Sequence, residues 1–234
     1  MRARRTPWAV VLASVLSVLV AAGALVGAVV VREQRVAPAQ EPPPTVTPPP
    51  TTGVCLVEPC RVLAVAKIAG TTVELIADSG ATSGRLRIGG PSSSSIIETT
   101  VTDLGVTLTK SSLQCVVKAM SACLVSGNYD NGLAGQAVVG RSGKWSSLAR
   151  PFVSGAGYLA LADVASSQSG PEVLAAQYDC AAGTPADCAG EPVFVQVFAI
   201  VSGTEVGCTR TYDDVGSLPG HPRVSVRAGD LSPC

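Results

Sequence analysis

The eight cysteines are the residues whose spacing most directly indicates chemistry. They lie at Cys55, Cys60, Cys115, Cys123, Cys180, Cys188, Cys208 and Cys234. All eight cysteines follow residues 8–31, which are predicted below to span a membrane. An even number of cysteines in such a position is typical of disulfide bonds. Eight cysteines allow 105 connectivities, and spacing alone does not choose among them. Proximity favours Cys55–Cys60, Cys115–Cys123 and Cys180–Cys188, which leaves Cys208 to pair with Cys234.

The spacing of the same cysteines disfavours metal binding and redox catalysis. None of the spacings is C-x2-C, and His221 is the only histidine of the chain. A structural zinc site and a thiol-disulfide enzyme both usually require closer cysteines. We therefore expect neither a metal nor a cofactor.

Other catalytic patterns are also weak. His221 lies in a turn between Pro219 and Pro222, and no G-x-S-x-G motif accompanies it. Asp213 and Asp214 are adjacent acids in a predicted loop, and adjacent residues rarely converge on one bond. The sequence favours a protein that is not an enzyme. The alternative is a cell-envelope hydrolase that acts on wall glycan or peptide through a carboxylate pair that is not recognisable in the sequence.

Three aromatic residues offer a candidate ligand platform: Tyr129, Trp145 and Tyr158. Aromatic rings with a polar end can lie at a surface and stack against a sugar or a peptide. The partner would then be an envelope protein or a glycan. The alternative is that these rings pack in the core.

The elements that would position these residues begin with a membrane anchor. Residues 8–31 carry no charge, and as a helix they would be about 36 Å long, enough to cross a bilayer. Arg2, Arg4 and Arg5 precede them, so the positive-inside rule keeps residues 1–7 in the cytoplasm. Cleavage near Ala37–Ala39, as in a signal peptide, is the alternative.

Within the predicted span, Gly23 and Gly27 form a G-x-x-x-G pair. Small residues at this spacing allow two helices to approach closely. The pair makes a homodimer through this face a candidate arrangement.

Two further segments follow the span. Residues 32–53 are rich in proline and threonine and predict an extended linker. Residues 54–234 then form one extracytoplasmic domain with 12 lysines and arginines against 15 aspartates and glutamates. This balance leaves no basic surface for nucleic acid. The chain is therefore expected in the cell membrane as a single-pass protein, with its C-terminal domain outside.

Repeated patterns predict the architecture of this domain. Cys115/Cys123 and Cys180/Cys188 share the same spacing and lie 65 residues apart, with Asp103 and Asp163 at matching places before them. A period near 65 with about four strands per unit is typical of blade-type folds. We therefore predict an all-β, disulfide-stapled domain of blade-like antiparallel repeats, as a partial propeller or an irregular β-sandwich.

Local patterns predict individual elements. Alternation at residues 106–109 predicts a half-buried strand, and the apolar run 193–201 predicts a central strand. Asn131-Gly132 predicts the turn of a tight hairpin, and residues 89–95 predict a loop.

The segment LADVASSQSGPEVLAAQYD resembles an FG-GAP or VCBS-type β-propeller repeat, in which an acidic calcium loop leads into a strand. The match is best over residues 158–182, and a second copy at 99–117 is weaker. The resemblance implies calcium ligands two and four places after Asp163. Ala165 and Ser167 stand there, which leaves Asp163 and the displaced Glu172.

We therefore expect the domain to be independent of calcium. Calcium prefers six or more oxygen ligands, and two carboxylates should bind it more weakly than the millimolar range of extracellular sites. Saturating calcium would then add little stability. Melting curves in excess calcium and in chelator test this expectation. A midpoint raised by more than about 5 °C would contradict it.

Overall fold

The computed structural model describes residues 57–90, 93–164, 170–180, 188 and 190–234. The predicted membrane segment 8–31, the linker 32–53 and Cys55 lie outside these residues. Within the described residues, no helix has the length and apolar character needed to cross a membrane. The described chain belongs to one unit, Thr51–Cys234.

The first sheet is a four-stranded antiparallel meander. Its strands are β1 (Arg61–Ile68), β2 (Thr71–Ala77), β3 (Gly84–Gly90) and β4 (Ser93–Glu98), which neighbour one another in chain order. β1 carries a register shift between Val62 and Ala64. The predicted loop at 89–95 is therefore shorter than expected, because β3 continues to Gly90 and β4 begins at Ser93.

The second sheet repeats the meander and adds a fifth strand. Its strands are β5 (Leu113–Val117), β6 (Ser121–Tyr129), β7 (Gly132–Arg141), β8 (Lys144–Ser147) and β9 (Phe152–Ser154). β8 pairs with the last part of β7, and β9 pairs with its first part. A side chain at Gly132 would lie 1.9 Å from the carbonyl oxygen of Ser154, so glycine is required where β9 approaches.

The third sheet is again a four-stranded meander, followed by a C-terminal tail. Its strands are β10 (Leu159–Ala162), β11 (Glu172–Tyr178), β12 (Val193–Ala199) and β13 (Glu205–Cys208). The tail contains short 3-10 helices at Val215–Ser217 and Ala228–Asp230. β12 lies between β11 and β13, which confirms the predicted central strand.

Alternating side chains place three apolar layers between these elements. On β7, Ala134 and Val138 join the cluster shared with the first sheet, whereas Ala137 joins the cluster shared with the third. On β12, Val195 and Val197 pack against the tail, and Phe198 packs toward the second sheet. The side-chain period of two thus allows the second and third sheets to bury both faces.

Three of the predicted disulfides are confirmed: Cys115–Cys123, Cys180–Cys188 and Cys208–Cys234. Cys60 is also disulfide-bonded, and its predicted partner Cys55 lies outside the described residues. All-β, antiparallel, disulfide-stapled architecture is therefore the observed fold class.

The predicted repeat period of 65 is wrong. The three sheets begin at Arg61, Leu113 and Leu159, so they follow one another more closely. Cys115 and Cys123 pair across the first two strands of their sheet, whereas Cys180 and Cys188 lie between the second and third strands of theirs. The two cysteine pairs therefore have equal spacing but different local structures, so the spacing does not mark a repeat.

Three local predictions also need correction. Residues 106–109 alternate in burial as predicted, but they form no strand, because the N–H of Leu108 bonds instead to the loop carbonyl of Ala81.

The predicted hairpin turn is present, with Asp130 and Asn131 as its two turn residues. Gly132 is the first residue of β7. Asp103 lies in the 3-10 helix Thr100–Leu104, whereas Asp163 follows a strand, so the two are not equivalent.

Asp78 organises the loop between β2 and β3. Its carboxylate accepts hydrogen bonds from the backbone N–H and the hydroxyl of Thr82 (2.9 and 3.3 Å) and from the hydroxyl of Ser83 (3.2 Å). Burial by itself would raise the pKa of Asp78. The hydrogen bonds from Thr82 and Ser83 outweigh burial and hold that pKa below its usual range.

We predict that Asp78 makes folding sensitive to acid. Because its pKa is lower in the folded state, the ionised carboxylate stabilises the fold above the unfolded pKa of about 3.9. This stability is lost progressively as the pH falls from that value through the lower pKa of the folded state. Asp78→Asn should lower the free energy of unfolding at pH 7 by about 1–3 kcal/mol and flatten its dependence on pH below about 5.

Urea unfolding of the full chain at several pH values measures both effects. Asp103→Asn is the matched control, because Asp103 is exposed. The control should keep the wild-type slope. Parallel curves for wild type and Asp78→Asn would contradict the prediction.

Candidate functional site

The three predicted platform residues do not share one surface. Tyr129 pairs with Gly132 and Trp145 pairs with Gly140, at opposite ends of β7. Eight residues of strand separate these positions by about 26 Å. Tyr158 packs in the cluster between the third sheet and the tail. The predicted single platform is therefore not formed, and the three aromatic residues occupy separate positions. The pairing of β7 with its neighbouring strands sets the distance between Tyr129 and Trp145.

Tyr129 and Tyr158 both serve packing. Tyr129 is partly buried against the first cluster at the end of β6. The hydroxyl of Tyr158 accepts a hydrogen bond of 3.0 Å from the N–H of Val224 in the tail. Burial raises the pKa of Tyr158, with this hydrogen bond opposing the rise, so the hydroxyl stays protonated at neutral pH.

Trp145 also packs against the first cluster, and in addition its ring lies against bare backbone. A Cβ added at Gly140 would lie 2.6, 2.7 and 2.8 Å from three atoms of the six-membered part of the indole. Three nearly equal distances indicate that one face of the ring covers Gly140. Glycine opposite an aromatic residue in a neighbouring strand is an arrangement that stabilises sheets. The other face of the ring is directed away from β7.

Trp145 borders two adjoining depressions of about 590 and 540 Å³. Both depressions are also lined by Thr71 and Gly143. We call the two together the Trp145 cleft. The first depression includes Lys118 and Arg141, and the second includes Gly70, Thr72, Ser94 and Ser95.

Two hairpin turns of the same kind keep the cleft open. Ala69 and Gly70 connect β1 to β2, and Ser142 and Gly143 connect β7 to β8. All four residues have positive φ, between 46° and 77°. Paired positive φ values are those of a type I′ turn, which fits the twist of a hairpin and favours glycine at its second position. A Cβ at Gly70 or Gly143 would meet nothing within 4 Å, so the space beside each turn is empty.

The charges lining the cleft are positive. Lys118 forms an ion pair with Asp163. Arg141 lies directly across the hairpin from Lys144 in the strand register, and both are exposed. Among the described residues, no aspartate or glutamate lines either depression. The cleft therefore combines one aromatic ring, several hydroxyl groups and a cationic side.

The residues implied by the propeller resemblance make local contacts instead. Asp163 binds Lys118, and the carboxylate of Glu172 accepts a hydrogen bond of 2.9 Å from the N–H of Val164. Glu172 is fully buried, and its second oxygen has no hydrogen-bond partner among the described residues. Residues 165–169 between them lie outside the description, so the calcium prediction stays a prediction.

The described residues contain no group of three or more His, Cys, Asp or Glu arranged to hold a metal. His221 is exposed in the tail, and the carboxylate of Asp214 accepts a hydrogen bond from the N–H of Ser217. Among the described residues, these contacts give no positive support to the hydrolase alternative, which stays an expectation from the sequence.

The sequence identified Trp145 but missed its surroundings. Lys118 was not singled out, because nothing local marks it as a neighbour of the ring. Arg141 was not singled out either, because the hairpin that brings it beside Trp145 was not predicted. The signal that could have found the cleft is the pair of two-residue turns ending in glycine, Ala69-Gly70 and Ser142-Gly143, each placed between two strands. Their closeness in space depends on the packing of the first sheet against the second.

Comparisons with protein-family models, with curated proteins and with solved structures found no match for this chain. The resemblance to propeller repeats therefore stays an expectation from the sequence. Function must be argued from the geometry of the Trp145 cleft.

Proposed function

We propose that this chain is a single-pass cell-envelope protein whose extracytoplasmic domain binds a glycan at the Trp145 cleft. Residues 8–31 would anchor it, the linker 32–53 would hold the domain away from the membrane, and Gly23 with Gly27 would allow two anchors to associate. The three successive meanders would be the blade-like units of a partial propeller. Binding rather than catalysis is the proposed activity.

The main observation behind the proposal is the packing of the Trp145 ring on Gly140. An indole with one face packed on backbone is held in place, so it loses little conformational freedom when a ligand stacks on its other face. A pyranose ring presents a face of C–H groups that can pack on such a ring. The sugar hydroxyls remain free at its edges for hydrogen bonds.

The chemistry of the cleft walls supports a sugar over an apolar ligand. Both depressions contain serine or threonine, with Thr71 common to the two. Hydroxyl groups can both donate and accept hydrogen bonds, as sugar hydroxyls can. An open cleft with one aromatic ring and several small polar residues suits a chain of sugar rings that lies along it.

We predict that Trp145→Ala weakens glycan binding about tenfold or more, because the stacking surface is lost. The full-length chain, purified in neutral detergent, would be titrated calorimetrically with neutral and acidic hexasaccharides. Gly140→Ala offers a second variant, since its added methyl group displaces the ring without removing it. It should also weaken binding.

The matched control is Tyr212→Ala, which removes a half-buried aromatic residue of the tail, away from the cleft. This variant should bind as the wild type does. Absence of binding to any hexasaccharide, or equal binding by Trp145→Ala and wild type with both folded, would overturn the proposal.

A separate prediction tests the topology. Arginines before residue 8 and disulfides after it support the proposal that the domain lies outside the membrane. Protease added to intact cells should therefore release a fragment that contains residues 57–234. Protection of this fragment until the membrane is broken would show the opposite orientation.

A further inference from the structure

We propose that the glycan bound at the Trp145 cleft is acidic, and that Arg141 binds its carboxylate or phosphate groups. This inference rests on the proposed function, because it names the class of sugar that the same cleft would take. Support for an acidic glycan comes from the charge around the cleft, whereas the stacking surface depends on the uncharged ring of Trp145.

Arg141 has the position needed for such a role. It lines the first depression together with Trp145, one residue beyond Gly140, on which the indole rests. Its side chain is exposed, and no aspartate or glutamate lines the depression among the described residues. A guanidinium can bind a carboxylate or a phosphate through two parallel hydrogen bonds.

The hairpin that carries Arg141 places a second cation opposite it. Arg141 and Lys144 are cross-strand partners on the two sides of the Ser142-Gly143 turn. Like charges directly opposite each other destabilise a sheet. An anionic ligand would relieve this repulsion, whereas a neutral sugar would not.

Lys118 differs from Arg141 in that an acid already neutralises it. Its ion pair with Asp163 connects the turn after β5 to the end of β10. Lys118 also lines the first depression, but Asp163 offsets its charge there. We therefore assign anion binding to Arg141 and a positioning role to Lys118.

The test compares sugars that differ only in charge. Hexagalacturonate and its fully methyl-esterified form share the same rings, and phosphorylated maltohexaose and maltohexaose form a second pair. The full-length chain in neutral detergent should prefer at least one acidic sugar over its neutral counterpart by about fivefold at low salt. The pair that shows the preference identifies the anionic group. The preference should shrink as salt rises to about 1 M.

Arg141→Gln should abolish this preference, so that each acidic sugar binds no more tightly than its neutral counterpart does to the same variant. Arg141→Lys should keep part of it, because the charge remains. The matched control is Arg223→Gln, which removes an exposed arginine from the tail. It should behave as the wild type does.

The outcomes separate this inference from the proposed function. Equal binding of acidic and neutral sugars, with loss of both in Trp145→Ala, would overturn the acidic preference and leave glycan binding standing. An acidic preference that survives Arg141→Gln would overturn the role of Arg141. Absence of all sugar binding would overturn both proposals.

Discussion

The structure depends on burying β-sheets that are apolar on both faces. β7 contributes Ala134 and Val138 to one layer and Ala137 to the next, so the second sheet needs a neighbour on each side. The first and third sheets supply these neighbours. Each buried valine, leucine or isoleucine side chain stabilises the fold by about 1.5–3 kcal/mol, so burial of both faces of the second sheet favours a sheet on each side of it.

The two outermost faces meet this constraint in different ways. On the first sheet, the cross-strand partners Glu74 and Arg87 form an ion pair, and so do Arg85 and Glu98. On the third sheet, the tail covers the apolar face, held by the Cys208–Cys234 disulfide and by the hydrogen bond to Tyr158. One face is charged, and the other is covered by the end of the chain.

The Trp145 cleft is a consequence of the same packing. The first and second sheets share an apolar layer, and at its edge two short turns carry glycine instead of a larger residue. Trp145 closes the layer at this edge and faces the cleft on its other side. The residue that completes the core is thus also the proposed binding surface, which explains why stability and binding must be measured separately in its variants.

The sequence alone determined features that depend on neighbours along the chain. Two disulfides were predictable because their cysteines are close in sequence, and Cys208–Cys234 because these two cysteines remained. β12 was predictable because its apolar run is long enough for a strand buried on both faces. Trp145 was identified by its type. The spacing of the cysteines failed as a repeat signal, because an equal separation can join two paired strands or close a loop.

Tertiary structure alone decided which of these features meet. Register along β7 separates Tyr129 from Trp145, and no local pattern encodes a distance that is set by pairing between strands. Packing of one sheet on another brings Thr71 beside Gly143 and Trp145, from segments about 70 residues apart. Arg141, by contrast, lies beside the ring through the β7–β8 hairpin alone, whereas the far wall of the cleft depends on contacts between sheets, which the order of residues along the chain does not reveal.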